Sequence, residues 1–222
     1  MTTNAPLDER QLAIGCIAAR AATGDMAGLA TALNLGLDGG LTISEATEVL
    51  VQLYAYAGFP RALNAITELM TVLDSRRNRG VSDEPGRAPT PIPAERSMQE
   101  IGTANQTRLS GAPVRGPLFE FAPAIDQFLK SHLFGDIFAR DNLDWASREL
   151  ATVGALSAMT GVDAQLQAHI RISMNTGLTA VQLEYLAAVL TARGDALAGQ
   201  QLLTALCKHA EACRPGMPRA CR

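Results

Sequence analysis

Charge is scarce in this sequence. Only 18% of its 222 residues are Asp, Glu, Lys or Arg, against roughly 25% in a typical soluble domain. A surface so short of charge is expected to be covered in part by another subunit, so a homo-oligomer is expected rather than a lone monomer. The 19 basic residues form no stripe and are outnumbered by 22 acidic ones, for a net charge of −3. Phosphate neutralisation needs clustered Lys and Arg, so no nucleic acid is expected as a partner. No apolar run approaches the roughly 18–20 residues that span a bilayer, and no membrane association is expected. The opening Met1-Thr2-Thr3-Asn4-Ala5-Pro6 lacks a charged and then apolar leader, so the expected location is cytoplasmic. The four cysteines, Cys16, Cys207, Cys213 and Cys221, include no C-x-x-C pair, which argues against a dithiol redox site. His209 and Cys213 stand four apart on one helical face, but no second pair supplies the remaining ligands of a closed site. No metal is expected.

Helix formers dominate what is present, and hydrophobic residues make up 47% of the chain. Apolar residues recur three and four apart between Leu7 and Leu73, which predicts helices at about 8–22, 25–37, 43–56 and 60–75. Thr42 and Ser44 ahead of Glu45 and Glu48 open the third of these, and Gly58-Phe59-Pro60 closes it. From Asp74 to Pro117 the chain is dense in Pro, Gly, Arg and Ser, so it cannot form one regular element. A linker over the surface is expected there, with a short helix near 94–109. Helices resume at about 122–138, 144–159, 163–175, 179–192 and 195–212. The tail from Arg214 is expected to fray.

A shift of 137 positions lays Thr23-Gly24 on Thr160-Gly161 and Gly40-Leu41-Thr42 on Gly177-Leu178-Thr179. The chain therefore reads as two copies of one all-α unit. A first repeat is expected over 1–75, a linker over 76–117, a second repeat over 118–213 and a tail over 214–222. The shift lays His169 on Ala32, so only the second copy keeps both an acid and a histidine.

Glu149 is expected in the first turn of one helix, and His169 on the next, after a turn in which Asp163 is a suitable N-cap. Helical rise puts them about 9 Å apart along the axes, a gap two long side chains or one bridging water could close. A carboxylate beside the imidazole would hold its tautomer and raise its basicity, as a general acid or base requires. The alternative is that Glu149 merely favours a helix N-terminus. Arg140 suits a substrate carboxylate through its planar fork, or else pairs with Asp136 four residues earlier. His132 reads either as a further polar contact or as a partly buried, hydrogen-bonded side chain. Tyr54, Tyr56 and Phe59 cluster in a chain with 5% aromatics, and with Trp145 they either line a pocket or form a helix–helix corner.

The segments Tyr54-Ala55-Tyr56-Ala57-Gly58-Phe59-Pro60-Arg61-Ala62 and Arg148-Glu149-Leu150-Ala151-Thr152, the latter followed by His169 and Gly177-Leu178-Thr179, resemble the carboxymuconolactone decarboxylase and alkylhydroperoxidase D superfamily. The likeness covers about 10–75 and 120–210, as a fused tandem form. Its peroxidase branch places a C-x-x-C before the histidine, where this chain has Val162 and Gln165, so the resemblance points to the decarboxylase branch. That implies an all-helical fold, rings of subunits (here a trimer of two-unit chains), and cofactor-free decarboxylation or proton transfer on a small lactone or enolisable carboxylate. His169 and Glu149 would be catalytic, with Arg140, His132, Tyr54, Tyr56, Phe59 and Trp145 binding the substrate. Two other readings stand beside it: a peroxidase using a cysteine outside a C-x-x-C, and a non-catalytic oligomeric binding protein.

Overall fold

The computed structural model describes residues 6–92 and 95–212, and every regular element among them is helical. The N-terminal half contains α1 (Glu9–Thr23), α2 (Met26–Asp38) and α3 (Ile43–Asn78). A crossing helix α4 (Met98–Ser110) and two short helices, α5 (Pro117–Phe121) and α6 (Pro123–Phe128), lead into a π-helical stretch, Leu129–Ile137. The C-terminal half then holds α7 (Trp145–Ser157), α8 (Asp163–Asn175), α9 (Ala180–Ala192) and α10 (Ala196–Ala212).

Local chemistry sets most of the boundaries. Thr42 and Glu45 close a capping box at the start of α3, and Thr179 and Gln182 do the same for α9. Each hydroxyl and each carboxyl or amide satisfies an amide that the first helical turn leaves open. The expected break at Gly58 is a kink within α3: Gly58 takes φ 80° and ψ 161°, a left-handed backbone that side-chain-bearing residues avoid, and Pro60 starts the next turn. α8 and α9 begin 137 residues after α2 and α3, so helix starts in the two halves keep the offset seen in the sequence.

One core joins the halves. α1 and α7 cross so closely that a Cβ on Gly154 would lie 2.4 Å from the Gly15 carbonyl oxygen. Leu12, Ile14 and Ile17 of α1 pack there with Leu150, Val153 and Leu156 of α7, all at most 2% exposed. A smaller apolar cluster of Leu109, Leu133, Phe134, Ile137, Phe138 and Ile172 lies beneath α4.

Three expectations are corrected. The helix expected over 122–138 is α6 followed by a π-helical stretch, whose wider coil brings its backbone against α4. A Cβ on Gly102 of α4 would meet the Lys130 carbonyl oxygen at 1.7 Å. The linker expected to run over the surface also turns inward, because the helix expected in it near 94–109, here α4, buries Gly102, Gln106 and Leu109. Asp163 is the first residue of α8 rather than its cap, and Val162 precedes it without a side-chain cap bond. The segment before α4 is anchored as well, because the Glu84 and Pro85 carbonyls accept from the Ile43 and Ser44 amides at 2.9 and 3.0 Å. The tail from Arg214, Cys221 and the Cys213 end of the His209–Cys213 pair lie outside the described residues.

Replacing Gly154 by Ala forces a methyl group into the Gly15 backbone. The expected penalty is about 1–3 kcal/mol, an overpacking effect. In a chain of this size that lowers the thermal midpoint by roughly 2–4 °C per kcal/mol, measured by circular dichroism melting.

Candidate active site

Glu149 and His169 meet directly. Asp144 caps α7 by accepting from the Ser147 amide at 2.9 Å, so the helix starts at Trp145 and Glu149 falls in its second turn. Glu149 is 0% exposed, so it is not a solvated charge at a helix N-terminus. α7 and α8 converge so that His169 Nδ1 lies 2.9 Å from Glu149 Oε2, with no bridging group between them. A ring nitrogen facing a carboxylate carries the proton, which leaves Nε2 as the basic nitrogen. The ring of Tyr56, from α3, stands edge-on to His169 with centroids 5.6 Å apart and planes at 80°.

Three polar atoms around this pair are buried and have no hydrogen-bond partner: Glu149 Oε1, the Tyr56 hydroxyl and Ser173 Oγ, one turn beyond His169 on α8. Orphaned polar atoms are rare in folded interiors, where each carries a desolvation penalty. Burial, then the Glu149 carboxylate, pushes the Tyr56 phenol far above the ordinary tyrosine range, so it remains a proton donor at any working pH.

Beside the pair lies a second polar system, which sequence reasoning missed. Glu48 of α3, 2% exposed, accepts from Arg140 Nε at 3.1 and 3.0 Å and from Arg140 Nη2 at 2.7 Å. It also accepts from Arg148 Nη2 at 2.9 Å. Arg148 is wholly buried and reaches the Arg140 carbonyl and the Gln52 amide oxygen at 2.8 and 3.2 Å. Gln52 Nε2 in turn donates to Thr152 Oγ1 and to the Arg148 carbonyl at 2.7 and 2.9 Å. The available signal was Glu48 and Gln52 standing four apart among Val49, Leu50, Val51 and Leu53, which places both on one face. Burial opposes the Glu48 charge, yet the bonds from Arg140 and Arg148 hold its pKa below the ordinary glutamate value of 4.5. Burial also draws the Arg148 pKa downward.

The other sequence candidates divide between two places. Tyr54 stacks on Phe59, with centroids 4.4 Å apart and planes at 12°, and tilts against His132 at 5.5 Å. Phe59 is 61% exposed, so this cluster lies at the surface. His132 Nδ1 lies 2.6 Å from Asp136 Oδ2. Asp136 therefore takes His132 as its partner rather than Arg140, which turns to Glu48. Arg140 and Trp145 line a cleft of about 590 Å³, and neither Glu149 nor His169 is in its wall. Trp145 Nε1 donates to the Phe138 carbonyl at 2.9 Å.

Residues 123–207 match the model of the carboxymuconolactone decarboxylase family. The match covers 85 of the 222 residues, within the C-terminal half. The matched span contains Glu149, His169, Arg140, His132 and Trp145, whereas Tyr56, Glu48 and Gln52 come from outside it. No curated protein matches the chain. Among the described residues no three His, Cys, Asp or Glu side chains gather as metal ligands, and no helix is long and apolar enough to cross a membrane.

The sign of the pH effect at Glu48 follows from its depressed pKa. The stabilisation is present above the unfolded value, near 4.5, and is lost as pH falls through the lower folded value. Glu48→Gln leaves the buried Arg148 short of its counter-charge and is expected to destabilise the protein at pH 7 by about 3–5 kcal/mol. The gap from wild type narrows as pH drops below 4.5. Urea midpoints at pH 7 and at stepwise lower pH measure both effects.

Proposed function

We propose that the chain is a cofactor-independent lyase or isomerase that moves a proton on a small lactone or enolisable carboxylate. The single observation carrying this reading is the buried 2.9 Å contact between Glu149 and His169. Glu149 holds the Nδ1 proton and stabilises the imidazolium that forms when Nε2 takes a proton. In an isomerisation, Nε2 removes a proton from the carbon next to a carbonyl and returns it elsewhere on the enolate. In a decarboxylation, loss of carbon dioxide leaves its bonding pair on the enolate, and the imidazolium delivers the proton to carbon. The Tyr56 phenol donates to the enolate oxygen, where a water-poor setting strengthens the bond.

The family match supports this chemistry at its coarser level, and the finer assignment is ours. His132, Tyr54 and Phe59 form the outer approach to the pair, while Arg140 and Trp145 face the cleft and take no part in this step. The matching starts of α2 and α8, and of α3 and α9, support a duplicated unit whose first copy has lost its site. At the same offset His169 falls on Ala32 and Tyr56 on Arg193, and both of these line a cavity of about 120 Å³ with Cys16. Burial pushes the Cys16 thiol up despite Arg193, so it is a poor thiolate and gives a peroxidase reading little support. Phe121, Leu118 and Phe128 are 90%, 65% and 60% exposed, which supports assembly, in our reading as a homotrimer with six related units.

The test follows carbon dioxide release and solvent deuterium uptake by nuclear magnetic resonance across a panel of carboxylated γ-lactones and β-keto acids. The His169→Ala rate is expected to fall about 10²–10⁴-fold, the range of a lost general acid or base, with the helical spectrum unchanged. Glu149→Gln is expected to fall in the same direction. Turnover of a panel member by His169→Ala at the wild-type rate would remove the proposed base.

A further inference from the structure

The cleft beside α4 has the build of a ligand site in its own right. Trp145, Phe138 and Ile101 give it an apolar stretch of wall, and its volume of about 590 Å³ lies within the range of small-molecule sites. Two cations, Arg140 and Arg96, stand in the same wall.

The acids there are already engaged. Asp141 accepts from the Thr90 amide and hydroxyl at 2.8 Å each and pairs with Arg87 at 3.0 Å. Asp144 is committed to the α7 cap and to the Ser147 hydroxyl at 2.9 Å. The cations are less fully engaged. Arg96 forms no ion pair among the described residues, and Glu100, whose carboxylate feels its charge, is bound to Ser97. Arg140 turns Nε and Nη2 towards Glu48, while its side chain stays 36% exposed. Behind it, two guanidinium groups share the one Glu48 carboxylate, so Glu48 does not fully neutralise Arg140. An anion in the cleft would complement it.

From this geometry we infer that the cleft is a separate binding site for a small carboxylate bearing an apolar ring, with the carboxylate at Arg140 and Arg96 and the ring against Trp145 and Phe138. A planar fork with free N–H edges matches a carboxylate, and an aromatic wall matches a ring. The inference does not rest on the lyase reading, because Glu149 and His169 are absent from the cleft wall.

Trp145 is the sole tryptophan of the chain, so its emission reports on this cleft alone. Full-length protein is titrated with benzoate, with benzamide as the uncharged analogue and acetate as the ringless one. The expected result is a saturable change with benzoate, at a midpoint at least tenfold below those of benzamide and acetate. Arg96→Gln is expected to raise the benzoate midpoint at least threefold and Arg140→Gln at least tenfold, while His169→Ala leaves it within twofold. Arg140→Gln disturbs the Glu48 cluster, so if it fails to fold, Arg96→Gln decides the matter, because Arg96 has no ion pair among the described residues to lose. Equal titration by benzoate and benzamide overturns the inference. Loss of binding in His169→Ala with wild-type binding in Arg96→Gln also overturns it, since the ligand would then sit at the imidazole. Failure of the lyase reading shows instead as absent turnover, with the fluorescence titration intact.

Discussion

A single carboxylate, Glu48, is shared by two guanidinium groups, and the arrangement of the site depends on it. Glu48 comes from α3 in the N-terminal half, Arg148 from α7 and Arg140 from the loop ahead of α7, so the contact ties the halves together. An ion taken out of water is stable only when its partners and hydrogen bonds are complete, which leaves the cluster one acceptable geometry. Arg148 and Glu149 are neighbours on α7. Fixing the rotation of that helix through Arg148 therefore fixes the direction of Glu149, about 100° around the axis, towards His169.

The packing serves the same end. Glycine at the α1–α7 crossing allows backbone contact, which draws the halves close enough for side chains of α3 to reach α7 and α8. Tyr56 on His169 and Gln52 on Thr152 are both contacts across the halves. The proposed site is thus composite: the family-matched segment supplies the acid and the imidazole, and the N-terminal half supplies the phenol and the counter-charge that orients them. The family-matched segment by itself would lack those groups.

The region between the halves has a comparable part. α4 is held by contacts that no hydropathy pattern announces: Asn105 donates to the Phe134 carbonyl and Asn175 to the Leu109 carbonyl, each at 2.8 Å. These bonds, with the close approach of Gly102 to the π-helical stretch, place α4 over Trp145, where Arg108 stands 5.0 Å from the indole ring. The cleft exists because that helix is seated there.

Most helix starts in both halves were legible in the residues themselves, since helical periodicity, the Thr42 and Thr179 capping boxes and Gly58-Phe59-Pro60 act within a few positions of chain. The pairing of Glu149 with His169 was one of two readings the residues offered, because the two lie on consecutive helices joined by a short turn; burial of Glu149 decides between them. The partner of Arg140 was not. Asp136, four residues away, and Glu48, ninety-two away, offer the same charge, and only the way α3 packs on α7 brings the distant one to 2.7 Å. For the same reason the aromatic set divided into a surface stack, a ring on the imidazole and a cleft wall. Composition records how many such groups there are, whereas their grouping is set by helix crossings, which depend on side-chain contacts far apart in sequence.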